Sequence, residues 1–234
     1  MSVELDFIKD MFDSIAPKYD FLNRFLSLGQ DIVWRKKMVE SCDLPDKCVV
    51  LDVACGTCDV SLEIKRQKGD KATIFATDFS PKMLGLGKKK VVRKKADKTL
   101  YLLAGNALKL PFKESMFDAL FIAFGIRNIM DREGAIKEFF RVIKQGGTLA
   151  ILELTSPPEG IFRDAYMLYF KKLLPAIGSI FSKNRKAYHY LPESVINFPT
   201  AQKFALTIQE SGFKNVKLKA MTFGIVTLFI GKKL

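Results

Sequence analysis

Two carboxylates and an amide stand where three apolar runs of this chain end. Asp52 lies at the end of "VVLD" with Gly56 close behind, Asp78 closes "ATIFATD", and Asn106 follows "TLYLLAG". If those runs are neighbouring strands of one parallel sheet, the three side chains meet beyond its carboxyl edge, where open α/β sheets bind ligands. An acidic residue ending the second strand can accept hydrogen bonds from both hydroxyls of a ribose. Asp78 could instead cap a helix, but Ser80 is better placed for that. The loop after Asp52 then separates the nucleotides. A dinucleotide needs Gly-x-Gly-x-x-Gly so that its pyrophosphate can approach the backbone, and "DVACGTCD" lacks that pattern. S-adenosylmethionine carries no phosphate. Its amino-acid tail can lie along the backbone of such a loop, with Asp52 offering a carboxylate to its cationic groups. S-adenosylmethionine is therefore the expected cofactor.

The elements that must position these residues follow from hydrophobic period. "CVVLDV", "ATIFATD", "TLYLLAG", "FDALFIAFG" and "TLAILEL" are short apolar runs, as in strands buried on both faces. Helical periods lie between them. "SPKMLGLGKKKVVRKK" opens with Ser80 as N-cap and Pro81 at the first helical position, and "REGAIKEFFRVIKQGG" is expected to be a helix closed by its glycines. Alternating strands and helices imply an α/β fold with a parallel sheet and right-handed crossovers. "KNVKLKAMTFGIVTLFIGKK" adds two strands through a turn near Phe223 and Gly224, an antiparallel hairpin-like ending. Residues 1–44 have helical spacing, broken near Gly29, and form an N-terminal helical cover. Residues 156–198 interrupt the rhythm: an aromatic-rich amphipathic stretch, then "SKNRKAYHYLPES" as a polar loop. The whole, residues 1–234, is expected to be one domain.

Composition narrows the partners. The chain has 38 Lys plus Arg against 25 Asp plus Glu, a net charge of +13. That excess fits a solvated basic surface, an anionic membrane or nucleic acid. Asp6 and Asp10 interrupt the N-terminus and no apolar segment follows, so no signal peptide is expected, and no apolar run is long enough to span a bilayer. The expected location is cytoplasmic, with association at the cytoplasmic membrane face left open. Four cysteines fit a reducing compartment. Cys55 and Cys58 form a C-x-x-C, but with no second pair and one histidine in the chain, no metal site is expected.

Six stretches carry a family likeness: "MFDSIAPKYDFLN" (11–23), "LDVACGT" (51–57), "GNALKLPF" (105–112), "FGIRNI" (124–129), "YHYLPES" (188–194) and "GIVTLFIG" (224–231). Through them the chain resembles the quinone-biosynthesis C-methyltransferases that act on demethylmenaquinone or a polyprenyl-methoxybenzoquinol. "LDVACGT" and "LPF" are common to many class I methyltransferases, while "FGIRN" and the opening "MFD…PKYD" are far more specific. The resemblance implies a Rossmann-like class I methyltransferase with a seven-stranded, mostly parallel sheet. It implies S-adenosylmethionine-dependent C-methylation of a prenylated quinol, and places the 156–198 insertion over the substrate site. Residue by residue, Thr57 and Asp78 match cofactor contacts, and Asn106 and Ala107 match the pair beside the adenine. Ala123 falls where some members place a serine that touches the cofactor. Cys58 replaces the usual second loop glycine, which puts strain there if the position needs φ > 0. Arg127 and Asn128 match the reacting ring, with Arg127 as a cation stabilising the phenolate. Tyr19, Tyr188 and Tyr190 read as pocket or lid residues. His189, the lone histidine, falls on an unspecified position of Tyr-x-Tyr-Leu.

The implied partners are the quinol and an anionic membrane surface, without nucleic acid; a homodimer is left open. Two rival functions stand beside this one. An RNA methyltransferase would use the positive charge on phosphates, although "FGIRN" is not the Asn/Asp-Pro-Pro-aromatic tetrapeptide of base-amine methyltransferases. A non-catalytic S-adenosylmethionine-binding module is the other.

Overall fold

The computed structural model describes residues 3–158 and 185–234, with Gly160, Arg163, Tyr166 and Leu168 between them. Five of the apolar runs become parallel strands: β1 (Cys48–Val53), β2 (Ala72–Asp78), β3 (Leu100–Ala104), β4 (Phe117–Ala123) and β5 (Ile143–Leu154). The last two, β6 (Lys214–Met221) and β7 (Val226–Lys232), pair antiparallel. The seven strands lie in the order β3-β2-β1-β4-β5-β7-β6. The chain works outward from β1 in one direction and resumes at β4 on its other side. The crevice between those two directions is the topological switch point, where α/β sheets take ligands.

Strand residues alternate between two cores because successive side chains point to opposite faces. Val50, Ala119, Phe121 and Leu152 pack on one face with Trp34, Met38 and Ile64. Leu51, Leu120, Ile122 and Ile151 pack on the other with Phe139, Phe204 and Phe229. The helices that cover the first face are α3 (Gln30–Glu40), α4 (Asp59–Lys68) and α5 (Pro81–Arg93). Those on the second are α6 (Arg132–Val142) and α8 (Ala201–Glu210). Ser80 does cap α5, its hydroxyl accepting from the Met83 amide at 3.1 Å, with Pro81 next.

The N-terminal cover is built from α1 (Val3–Ile15), a 3₁₀ turn (Ala16–Lys18), α2 (Tyr19–Leu26) and α3. Gly29 takes φ 77° between α2 and α3, the break expected there. Charged pairs hold the cover to the sheet layer. Lys90 of α5 meets Asp20 at 2.7 Å and Asp59 at 2.6 Å, and Arg24 reaches Asp59 at 2.8 Å. Asp13 accepts a hydrogen bond from Ser80.

Two expectations are corrected. The helix from Arg132 stops at Val142 rather than at the glycines, because Ile143 pairs with Phe117 and "IKQGG" becomes the start of β5. The polar loop expected over "SKNRKAYHYLPES" is helical from Arg185: α7 (Arg185–Ile196) holds Pro192 inside it. Burial explains this. Val195 is buried, with Leu191 beside it, against Met11 and Leu22, and that packing outweighs the missing proline N–H. Most of the stretch 159–184, including Lys171, Lys172 and Lys183, lies outside the described residues, as do the side chains of Arg185, Lys186, Tyr188 and His189.

Candidate active site

A cavity of about 210 Å³ opens at the carboxyl ends of β1 to β4. Strand ends supply one wall through Ala54, Gly56, Asp78, Asn106 and Ala107. The segment after β4 supplies another through Ala123, Phe124, Asn128 and Ile129. Ile8, Phe12 and Tyr19 of the N-terminal cover close the third side. Phe12 and Tyr19 meet edge to face there, centroids 6.2 Å apart.

The loop after β1 is wound tightly by three left-handed residues: Ala54 (φ 51°), Gly56 (φ 53°) and Cys58 (φ 69°). Two of them carry side chains in a region that favours glycine. Cys58 is thus at a position where a glycine fits the backbone better. Asp78 braces this loop. Its Oδ2 accepts the Gly56 amide at 2.8 Å and its Oδ1 the Ser80 amide at 2.8 Å. Burial raises the Asp78 pKa above the usual carboxylate range, against the lowering effect of those backbone donors. The carboxylate is therefore fixed in direction and largely desolvated at the cavity wall. Asn106 stands on the same wall beyond the neighbouring strand, its Oδ1 accepting the Leu108 amide at 2.9 Å.

Three residues expected at the ligand stand behind the wall instead. Asp52 is buried and its Oδ2 accepts both the amide (3.1 Å) and the hydroxyl (2.5 Å) of Ser61, tying β1 to α4. Desolvation raises its pKa to about 7. Thr57 is buried, donating to Asp20 at 2.6 Å and accepting from Lys90 at 3.0 Å. Asp52 therefore braces the loop, and Thr57 latches the cover to it. Arg127, in the 3₁₀ turn Ile126–Asn128 after β4, sends Nη1 to Glu153 of β5 at 2.7 Å and to the Phe124 carbonyl at 2.6 Å. Glu153 also accepts the Arg127 backbone amide at 3.1 Å and is fully buried. The salt bridge holds the turn, and the turn aims Asn128 into the cavity. The Oδ1 of Asn128 accepts the Tyr190 hydroxyl at 3.0 Å.

Glu153 was missed in the sequence, although a single carboxylate inside the apolar run "TLAILEL" was a signal for a buried partner. Ile8 as a cavity residue carried no signal beyond helical spacing, whereas Phe12 and Phe124 lay inside "MFDSIAPKYDFLN" and "FGIRNI" without being singled out. Cys55 and Cys58 place their sulfurs 4.0 Å apart. The hydrogen bond with Cys58 and burial push the Cys55 thiol up. Among the described residues no group of three His, Cys, Asp or Glu is set to hold a metal, and no helix is long and apolar enough to cross a membrane.

A family model described as the ubiE/COQ5 methyltransferase family matches residues 1–233. The chain belongs to that family. Within it, the chain is 44% identical to "Ubiquinone/menaquinone biosynthesis C-methyltransferase UbiE" of Geotalea daltonii, over 97% of this chain and 96% of the relative. It is 36% identical to "Demethylmenaquinone methyltransferase" of Staphylococcus saprophyticus, over the same 97% and 96%. A solved S-adenosylmethionine-dependent methyltransferase from Aquifex aeolicus shares the fold at TM-score 0.64 and 17% identity, covering 86% of this chain and 89% of that one. The expected class I methyltransferase fold and ubiE/COQ5-type family are both borne out.

Proposed function

We propose that this ubiE/COQ5-family chain transfers the methyl group of S-adenosylmethionine to a ring carbon of a prenylated quinol, converting a demethylmenaquinol to a menaquinol, or the corresponding benzoquinol on the way to ubiquinone. The observation that carries this reading is one cavity lined by a braced carboxylate, Asp78, by Asn128 and by apolar side chains such as Phe12, Phe124 and Ile129. S-adenosylmethionine, when bound, supplies a methyl group made electrophilic by its sulfonium.

The residues fit that cofactor. Asp78 accepts the ribose hydroxyls, as an acidic residue ending the second strand does. Gly56 lets the amino-acid tail approach the backbone, and Asn106 and Ala107 flank the adenine. A quinol carbon is a poor nucleophile until a neighbouring hydroxyl gives up its proton. Asn128, held by Tyr190, can donate its Nδ2–H to the resulting phenolate oxygen. Ile8, Phe12 and Ile129 exclude water, which strengthens that bond. Arg127 acts through the turn it braces rather than by touching the ring. Fixing ring carbon and methyl in line accounts for much of the rate. One domain spanning 1–234 performs this, and the lipid solubility of the substrate implies contact with a membrane surface.

The test is incubation with methyl-labelled S-adenosylmethionine and, in parallel, reduced lipid quinones or total RNA. Label should enter the lipid fraction and only when the quinones are reduced. Label in RNA would establish the rival instead, and cofactor binding without transfer would make the chain a binding module.

A further inference from the structure

We propose that the turn between α2 and α3, together with the neighbouring β6–β7 turn, is a docking surface for an anionic lipid bilayer. Two apolar side chains stand at the tips of these turns in strained backbone. Leu28 is 88% exposed at φ 51°, and Phe223 is 78% exposed at φ 56°. Branched and aromatic residues avoid that region, which Gly, Asn and Asp enter more easily. Strained residues that expose apolar surface point to function rather than packing.

The two tips belong to one surface. Trp34 Nε1 of α3 donates to Thr222 Oγ1 at 2.8 Å. Ile225, just past Phe223, packs against the cluster that buries Leu22 of α2. Phe21 and Phe25 extend the patch along α2, rings stacked at 6.0 Å and both exposed, and Ile32 extends it along α3. Exposed apolar side chains gathered on neighbouring turns and helices in this way mark an interaction site.

The charge around it selects the partner. The acids of α2 and α3 are tied into pairs: Asp20 to Lys90, Asp31 to Arg24 and Arg35, Glu40 to Lys36. Lys36 and Lys37 are exposed on α3. Lys217 and Lys219 are exposed on β6, and strand alternation puts them on the sheet face of Met221, which packs in the same core as Trp34 and Met38. Apolar tips inside a basic rim match a bilayer with anionic headgroups, leucine and phenylalanine entering the acyl boundary and lysines staying at the phosphates. The net charge of +13 favours the same surface at longer range. The cover that carries Leu28 also supplies Ile8, Phe12 and Tyr19 to the cavity, so docking there brings the site to the lipid. The purpose of the surface rests on the proposed lipid-dissolved substrate, but its geometry does not.

The experiment is co-sedimentation of the full chain with vesicles of phosphatidylcholine, alone or mixed with phosphatidylglycerol, at low and high salt. The parent should bind the anionic vesicles and lose much of that binding in salt. In a Leu28→Asp, Phe223→Asp double variant both backbones accept the new residue, so the thermal midpoint should hold or rise. Its vesicle partition should fall at least about tenfold. Turnover of a short-tailed, water-soluble quinol should stay at the parental level. The proposal is overturned if the parent ignores anionic vesicles, or if the double variant sediments like the parent. It is also overturned if sedimentation velocity shows a parental dimer that the substitutions split, since a second copy would then own the patch. Should the double variant unfold, replacing Lys36, Lys37, Lys217 and Lys219 with Gln must abolish the preference for anionic vesicles, or the proposal falls. Vesicle binding without methylation of any quinol would leave this surface standing and remove the function proposed above.

Discussion

Cys58 and Gly87 divide one small volume behind the loop that follows β1. A Cβ added at Gly87 would lie 2.7 Å from the Cys58 sulfur and 3.4 Å from the Gly56 carbonyl oxygen. Cys58 occupies a left-handed position, and its sulfur fills the space that keeps residue 87 a glycine in mid-helix. Gly87→Ala alone should therefore lower stability by about 1–3 kcal/mol through overpacking. In a Cys58→Gly background the same change should be neutral or stabilising by up to about 1 kcal/mol, the helix preference of alanine. Urea denaturation of the four proteins measures the coupling; additive effects would show that the two residues do not compete. Asp78 is the second residue with a sharp expectation. Asp78→Asn keeps its shape but loses the charge and one acceptor. S-adenosylmethionine should bind more weakly by about 1.5–3 kcal/mol, the range for hydrogen bonds to charged groups. Equal affinities in calorimetry would take Asp78 out of the cofactor site. Both positions were visible in the sequence, Asp78 by its place at a strand end and Cys58 by standing for a glycine. What neighbours Cys58 was not, because Gly87 reaches it only through the packing of α5 on the loop.

Among the elements, the 3₁₀ turn after β4 matters most to the site, and its support comes from the adjacent strand. Glu153 on β5 grips Arg127 by side chain and backbone, so the turn is tied directly to β5. Removing one partner leaves a buried charge. Arg127→Ala should destabilise the fold by about 3–5 kcal/mol, whereas an Arg127→Met, Glu153→Gln double variant should recover most of that loss. Asn128→Ala, by contrast, should leave unfolding nearly unchanged and lower kcat. Denaturation of the double variant as steep a loss as Arg127→Ala alone would contradict the pairing. "FGIRN" announced a functional turn, but not which of its polar residues faces the cavity. That is decided by Glu153, distant in sequence and adjacent only through strand pairing. Helix α7 was hidden for a related reason: its proline argues locally for a loop, and only burial of Leu191 and Val195 against α1 reverses the argument.

At the scale of the whole molecule, the parallel sheet was the most legible feature, because its central strands β1, β4 and β5 are buried on both faces and so read as apolar runs. The charged interior was the least legible. Asp52 looked like a ligand group, yet it is a buried carboxylate whose pKa rises to about 7. Between pH 4 and 7 the folded protein keeps a proton there that the unfolded chain has released, so stability from this group falls as pH rises through that window. Asp59 behaves oppositely. Burial works to raise it, but Arg35, Lys90 and Arg24 outweigh burial and hold it at about 2, so its contribution is present above pH 4 and fades below. Asp52→Asn, whose amide oxygen can keep both Ser61 bonds, should raise the thermal midpoint at pH 8 and give no gain at pH 4. A gain that does not depend on pH would mean that Asp52 is ionised in the fold. The claim that unites residue, turn and sheet is that one cavity joins a methyl donor to a quinol ring carbon. The most direct measurement is carbon-13 NMR of the lipid product after reaction of methyl-labelled S-adenosylmethionine with a reduced, demethylated prenyl quinone. One labelled methyl should appear attached to a ring carbon, with Asn128→Ala giving far less of it. Label on a quinol oxygen, or none in the quinol at all, would contradict the claim.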